Sequence, residues 1–539
     1  MRHGKPGHAA VIPDAKRRHN ATSALAADGP LARLVPGFQA RPQQQAMAEA
    51  VEDCFRDGGC LLVEAGTGVG KTLAYLVPGL QAALALDTRL VVSTYTKALQ
   101  AQIMETELPR LAAWEGPPRS FTAELCVGMG NYLCVTRLLR EADAEVLPGL
   151  AVEEAGVLHA LMQWCLRGES GLRWEAPVPV PEGLWRRVCA SSEWCLGSRC
   201  AHRAICPVRR ARERQQAADV LVTNHSLLLA HFAGEGRLLP EFGPGVFDEA
   251  HRLEDAAAQF FGETLSQAAL SQWLEDLAAR GRGALWTRLG LHRRRVEALA
   301  GEVLQLDAAW SAWWRNIAPA GANGGEGEAF ASPEENAPVP PTEGLVHLAG
   351  MLGETLPGAT REEDARAAEV YAARLRQAAD FLARWRRGGD PDRVFWGETV
   401  RRGRQTSLRL AATPLDVSDL MREHVFTAMP AAVLTSATLA VEGRLDFTAE
   451  RLGVDAPRTL VLDSPFDFTR QAALYLPAGL PDPREEAPYD ERLAEELVGL
   501  TDLCDGGLFA LFTSHRRLRN LVGRLRADRP DRLILAQGE

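Results

Sequence analysis

The run Glu64-Ala65-Gly66-Thr67-Gly68-Val69-Gly70-Lys71-Thr72 restricts the fold more than any other stretch of the chain. It follows a short apolar segment, Cys60–Val63, and opens a segment with helical spacing, so its glycines sit at a strand-to-helix turn. That is the context a phosphate-binding loop needs. Glycine lets successive backbone N–H groups turn inward around a phosphate, and the helix N-terminus adds partial positive charge. Ala65, Gly66, Thr67, Gly68, Val69 and Gly70 would form the cradle for ATP, Lys71 would neutralise the β- and γ-phosphates, and the Thr72 hydroxyl would hold Mg²⁺. The first position of the G-x-x-x-x-G-K-[ST] pattern is Ala65 rather than glycine. The tight turns fall at the later glycines, so the loop tolerates this change.

A loop of this kind belongs in a parallel, doubly wound α/β sheet, and the rest of the chain has that rhythm. Further strands are expected at Leu90–Thr94, Asp219–Thr223, Val246–Phe247 and Ala432–Thr435, each followed by a helical pattern or a polar end. After Thr438 the rhythm resumes, with strands expected at Thr459–Leu462, Leu508–Phe512 and Leu533–Ala536. Two segments interrupt it. Residues 110–217 hold most of the cysteines and many Trp and Arg. Residues 256–425 are rich in Ala, Leu, Arg and Glu with helical periodicity and read as an all-helical insertion, with a loose Gly/Pro/Glu-rich loop at 318–344. Residues 1–30 read as a flexible arm.

The chain has 539 residues, which at roughly 150 per domain implies three or four domains. A hydrophobic fraction of 46% excludes wholesale disorder, and a net charge of −10 excludes a globally basic nucleic-acid coat but not a local basic track. No apolar run reaches the ~20 residues of a membrane span; Leu73–Leu86 is too short and contains Pro78 and Gln81. The N-terminus lacks the apolar core of a secretory signal, so a soluble, cytoplasmic protein is expected. Ten cysteines are too sparse for a disulfide scaffold, and six of them lie between Cys126 and Cys200, with Cys206 close behind. Such clustering points to a metal site.

Asp248-Glu249-Ala250-His251 stands at the end of the Val246–Phe247 strand. Asp248 would hold Mg²⁺ through water and Glu249 would polarise the attacking water, the two tasks that ATP hydrolysis needs opposite a phosphate loop. Gly243-Pro244-Gly245 leaves only two apolar residues of strand before Asp248, so its placement is expected to be less rigid than usual.

Gly-Thr-Gly-Val-Gly-Lys-Thr at 66–72, Asp-Glu-Ala-His at 248–251 and Ser436-Ala437-Thr438, in that order, resemble a superfamily 2 helicase. The intervening cysteines and Val222-Thr223-Asn224-His225-Ser226-Leu227-Leu228 resemble its iron–sulfur branch, which includes XPD, DinG and YoaA. Phe38-x-x-Arg41-x-x-Gln44, Ser93-Thr94-Tyr95-Thr96, Ser464-Pro465-Phe466 and Leu511-Phe512-Thr513-Ser514 match further blocks of that family. The resemblance spans residues 31–539. It implies a RecA-like motor domain built from 31–109, 218–255 and 426–440, an inserted iron–sulfur domain at 110–217, an inserted helical arch at 256–425, and a partial second RecA-like domain at 441–539. It further implies that Gln44 reads adenine with support from Arg41. The Ser436–Thr438 block would couple hydrolysis to strand movement, and His251 would relay nucleotide state to it. The implied activity is ATP-dependent unwinding of single-stranded or forked DNA, 5′ to 3′, in repair or replication, with ATP, magnesium and a 4Fe–4S cluster as cofactors and no membrane partner.

Cys134, Cys195, Cys200 and Cys206 form one early residue followed by C-x4-C-x5-C. Zinc sites more often show two close pairs, whereas this spacing suits a cluster bridging two parts of a small domain. The resemblance names these four as the ligands, and Cys189 is a rival because it also stands six residues before Cys195. From Arg199 to Arg214 six arginines face one glutamate, a local +5, and helical spacing would line up Arg203, Arg210 and Arg214 for phosphate contacts. Trp164, Trp174, Trp185 and Trp194 are candidates for base stacking or for packing.

The family's late arginine-bearing motif does not follow Ser514. Arginine fingers contribute about 10³–10⁵ in rate, so weak ATP binding and slow hydrolysis are expected of this polypeptide. Two other readings share the same residues: a non-catalytic DNA-binding module, and a P-loop ATPase that remodels RNA or protein.

Overall fold

A computed structural model describes residues 21–114, 117, 119–142, 152–234, 238–279, 284–317, 329–331, 338–359, 361–402, 405–504 and 507–537. Most of the arm at 1–30 and most of the loop at 318–344 lie outside them. The chain forms two compact units that divide between Pro465 and Phe466.

The first unit is built on a seven-stranded, wholly parallel sheet. Its strands are β1 (Gly59–Ala65), β2 (Leu90–Thr94), β3 (Ala123–Leu125), β4 (Val220–Asn224), β5 (Pro244–Asp248), β10 (Ala431–Ser436) and β11 (Arg458–Leu462). Their spatial order is β11-β1-β10-β5-β2-β4-β3. The central strands are covered on both faces, which is why they read as unbroken apolar runs. Successive residues of a strand feed opposite cores. Leu61 and Val63 of β1 pack with helices Pro42–Asp57 and Lys71–Ala85, while Leu62 joins Phe247 and Leu434 on the other face.

The strand before Asp248 is longer than its apolar residues indicate. Pro244, Gly245 and Asp248 are all part of β5, and all five of its residues are buried. Pro244 is tolerated as the first residue of the strand, where its missing N–H costs least. Gly245 leaves room for the Met429 side chain and for Val91. Asp248 is therefore held in register, against Thr435 of β10, rather than loosely.

The expectation of an all-helical insertion needs correction. Helices Gln267–Ala278, Arg293–Ile317, Thr342–Thr355 and Glu362–Arg387 do pack around a core rich in tryptophan. They are accompanied by a four-stranded antiparallel sheet of β6 (Glu263–Ser266), β7 (Ala329–Ala331), β8 (Arg393–Arg402) and β9 (Gln405–Pro414), in the order β6-β9-β8-β7. Phe395, Gly397 and Thr399 turn inward on alternate positions of β8. Val394, Trp396 and Val400 on the intervening positions are apolar as well and hide that alternation in the sequence.

The segment Thr459–Leu462 is a strand, but as β11 it pairs with β1 in the first sheet. Leu508–Phe512 and Leu533–Ala536 pair with no strand among the described residues, contrary to expectation. Phe509, Leu511, Leu533 and Leu535 are more than four-fifths exposed. A parallel strand exists only where a neighbour supplies its hydrogen bonds, and apolar content alone does not create one. The second unit is otherwise formed by helices Glu486–Leu503 and His515–Asp528.

Between β3 and β4 lie the helices Val135–Ala142, Val152–Leu166, Glu182–Val188 and Pro207–Ala217. Antiparallel bridges at Tyr132–Leu172 and Leu133–Cys189 tie the start of this cysteine-bearing segment to its middle.

Candidate functional site

The glycine loop leaves β1 at Ala65 and enters the helix at Lys71. Gly68 and Gly70 have φ of +86° and +87°, the left-handed region open to glycine at no steric cost. Lys71 Nζ donates to the Ala65 carbonyl at 3.1 Å, folding the lysine back over the loop. Arg41 is the residue before helix Pro42–Asp57, and its guanidinium donates to the Gly68 carbonyl. Gln44 Nε2 donates to the Gly70 carbonyl at 2.9 Å. Arg41 and Gln44 thus brace the backbone of residues 68–70 from one helix end.

Asp248 ends β5, and β10 alone separates that strand from β1. Its Oδ2 accepts a hydrogen bond from Tyr75 Oη at 3.0 Å, and its Oδ1 accepts the Glu249 N–H at 3.0 Å. Burial, aided by the Glu249 charge, pushes the Asp248 carboxyl up to about 6, against the opposing pull of Tyr75 and Lys71. Tyr75 is fully buried on the first turns of the Lys71–Ala85 helix, and burial beside Asp248 drives its hydroxyl far above the ordinary tyrosine range. The Tyr75 bond therefore joins the helix that carries Lys71 and Thr72 to Asp248. Tyr75 belongs to none of the sequence motifs. Its signal was a single hydroxyl three residues beyond Thr72, on the same helix face, in an otherwise apolar segment.

Glu249 has φ of +57°, a strained conformation for a non-glycine residue. That kink turns its carboxylate toward β10. Glu249 Oε2 lies 3.3 Å from His251 Nδ1 and 3.4 Å from Ser436 Oγ, and His251 Nδ1 lies 2.7 Å from Ser436 Oγ. The acidic tetrapeptide and the Ser436–Thr438 block meet in this triangle. Among the described residues no three His, Cys, Asp or Glu side chains converge to hold a metal ion by themselves. A hydroxyl and one carboxylate suit Mg²⁺, which keeps waters and takes phosphate oxygens.

Cys134, Cys195, Cys200 and Cys206 line one cavity of about 430 Å³. Cys189 does not line it; its carbonyl instead accepts from Arg137 at 2.6 Å. Thr136 Oγ1 lies 3.4 Å from Cys200 Sγ, and the Gly197 N–H donates to Cys195 Sγ at 3.4 Å. Burial pushes up the Cys134 thiol. Burial likewise pushes Cys126 up to about 12 and Cys165 up to about 11, away from that cavity. Thiolates are the residue type that holds iron–sulfur clusters, and four of them line this one cavity.

The arginine stripe does not form as spaced. Arg203 belongs to a separate short turn, Arg203–Ile205, ahead of helix Pro207–Ala217. Arg214 pairs with Glu124 at 2.9 Å and Arg210 donates to the Glu169 carbonyl at 2.6 Å. Trp164 and Trp185 are buried, while Trp174 is half exposed with Lys97 Nζ 5.7 Å above its ring. Trp194 packs edge-on against Tyr371, with Arg137 and Arg374 over its ring.

No helix among the described residues is long and apolar enough to cross a membrane. The DEAD/DEAH box helicase family model matches residues 40–122. The chain is 32% identical to the ATP-dependent DNA helicase YoaA of Escherichia coli (strain K12) over 528 residues, 96% of this chain and 78% of that protein. It is 31% identical to the ATP-dependent helicase DinG of Mycobacterium tuberculosis (strain ATCC 25177 / H37Ra), over 93% of this chain and 75% of that protein. A solved XPD helicase is similar at a TM-score of 0.46 and 13% identity, over 91% of this chain and 74% of that one. By its identity to YoaA and DinG over three quarters or more of each, the chain belongs to the DinG/YoaA family of ATP-dependent helicases.

Proposed function

We propose that the chain is an ATP-dependent DNA helicase in which Lys71 and Thr72 bind the phosphates and Mg²⁺, Asp248 holds the metal through water, and Glu249 is the general base. The observation that carries this reading is the Tyr75–Asp248 bond, which joins the helix of the phosphate loop to the acidic strand at 3.0 Å. A triphosphate bound along the N–H groups of the loop would set its magnesium between Thr72 and Asp248. Glu249 would then take a proton from water attacking the γ-phosphate, and His251 would pass the change to Ser436. Arg41 and Gln44 would keep the loop open on the base side, where Gln44 recognises adenine.

Cys134, Cys195, Cys200 and Cys206 would hold a 4Fe–4S cluster, supported by their common cavity. Bound there, the cluster would cross-link the start and end of the cysteine segment, a structural and redox-capable centre. The substrate is single-stranded or forked DNA, translocated 5′ to 3′ in repair or replication, and the compartment is the cytoplasm. These points rest on family likeness. Strand displacement on 5′-tailed DNA, 3′-tailed DNA and 5′-tailed RNA, run beside ATP turnover, tests them. Displacement of the 5′-tailed DNA alone is expected; equal activity on RNA or on 3′-tailed DNA would reject the reading.

A further inference from the structure

We propose that Glu64 is a positioning residue that fastens the segment after Ser436–Thr438 to the root of the nucleotide loop and so carries nucleotide state to bound DNA. This inference rests on the ATP-dependent DNA reading above. Glu64 stands near the end of β1, two residues before Gly66, in register with Ser436 of β10 and Val461 of β11. One oxygen of its carboxylate, Oε2, accepts two consecutive backbone N–H groups, Leu439 at 2.5 Å and Ala440 at 2.6 Å. The Leu439 carbonyl in turn accepts Thr448 Oγ1 at 2.6 Å. The turn that follows Thr438 is thereby gripped from both sides.

The same segment is tied at its other end to the catalytic carboxylate. Ser436 Oγ meets His251 and Glu249, and the Thr438 N–H donates to Ser436 Oγ at 3.4 Å. Five residues of backbone, Ser436 to Ala440, therefore run from the proposed general base to the strand that becomes the phosphate loop. Two charge-assisted bonds to adjacent N–H groups define direction as well as distance, so a shift of the loop is transmitted rather than absorbed.

The chemistry of the position argues for this role. A carboxylate so near a triphosphate opposes nucleotide binding by like charge unless it is turned away and its charge is taken up. Paired backbone N–H groups take up an anion well. An aliphatic side chain would avoid the repulsion but would leave Leu439 and Ala440 without an acceptor. The other two carboxylates of the site are engaged elsewhere, Asp248 by Tyr75 and Glu249 by His251 and Ser436.

The full chain with Glu64→Ala or Glu64→Gln provides the test. Fluorescence anisotropy measures the Kd of a 5′-tailed oligodeoxynucleotide with and without a magnesium complex of a non-hydrolysable ATP analogue. The ratio of the two values is the coupling, usually about 5–150-fold where two sites communicate. Wild type is expected to show such a ratio and Glu64→Ala a ratio of about one. The Ala variant's affinity for the analogue alone should change much less than the coupling does, and Glu64→Gln, which keeps a neutral acceptor of the same shape, should restore part of the ratio. A wild-type ratio retained in Glu64→Ala overturns the proposal, as does a loss of analogue affinity as large as the loss of coupling. Should the Ala variant fail to fold, the Gln variant decides: a reduced ratio supports the role and a wild-type ratio overturns it. A wild-type chain that binds the analogue but no DNA rejects the parent reading, a result distinct from coupling that survives without Glu64.

Discussion

Tyr75 Oη lies 3.0 Å from Asp248 Oδ2, and both side chains are buried. One phenol thus links the helix that opens at Lys71 to the end of β5. Replacing Tyr75 by Phe removes the donor and leaves the carboxylate without it in a buried site. A hydrogen bond to a charged group contributes about 1.5–3 kcal/mol, so Tyr75→Phe is expected to lower stability by that order. It should also raise the Mg²⁺ concentration needed for nucleotide binding. Thermal melting and a magnesium titration with a fluorescent ATP analogue read both effects; unchanged values in both would remove Tyr75 from the site.

The raised Asp248 carboxyl has a pH consequence with a definite sign. Folding lifts it from the ordinary carboxylate range to about 6, so between those values the folded chain holds a proton that the unfolded chain has released. This group therefore costs the metal-free fold stability as pH rises through that window. Magnesium needs the deprotonated form, so below about 6 apparent Mg²⁺ affinity is expected to fall by about tenfold per pH unit. A profile flat across that window would show that Asp248 does not meet the metal.

Glu249→Gln keeps the shape of the side chain but removes its basicity. Hydrolysis is expected to drop by about 10²–10⁴, with nucleotide affinity retained. ATP turnover beside equilibrium binding separates the two, and a proportional loss of binding would assign Glu249 to holding nucleotide instead.

The cavity wall divides the cysteines. Cys195→Ser is expected to lose bound iron and the visible absorbance of the protein as purified, while Cys189→Ser keeps both, because Cys189 lies off the cavity. Iron loss in both variants, or in neither, would reassign the ligand set.

In the helical insertion, Arg288 Nε donates to Asp364 Oδ1 at 2.6 Å with both side chains largely buried. Arg288→Leu leaves the carboxylate without that partner, and removing one member of such a pair costs about 3–5 kcal/mol. A fall in melting temperature that is absent in the double variant Arg288→Leu/Asp364→Leu is the expected pattern.

Much of this architecture was legible in short stretches. Lys71, Thr72, Asp248 and Glu249 stand out by residue type and spacing at the ends of two strands, and the Tyr75–Asp248 bond joins those two segments. Cys134, Cys195, Cys200 and Cys206 stood apart by spacing, and the fold brings them to one cavity while leaving Cys189 off it. Other features were not legible because their cause is not local. The hairpin of β8 and β9 is paired along its length, yet apolar residues on both faces of β8 mask the alternation that would have marked it. Arg203 was counted with a helix that begins only at Pro207. Leu533 and Leu535 have strand-like composition, but a strand needs a neighbour that composition does not supply.

The sequence by itself determined the chemistry: a glycine turn before a lysine and a threonine, an acidic pair after a strand, and thiols at unequal intervals. Those properties depend on residue type and on spacing within a few positions, which covalent order dictates. Only the tertiary structure decided which groups complete the site. Tyr75 and Asp248 are 173 residues apart in the chain, and Glu64 and Leu439 are 375 apart. Such contacts arise because parallel strands are ordered in space by packing of the whole sheet, and no local pattern records that order.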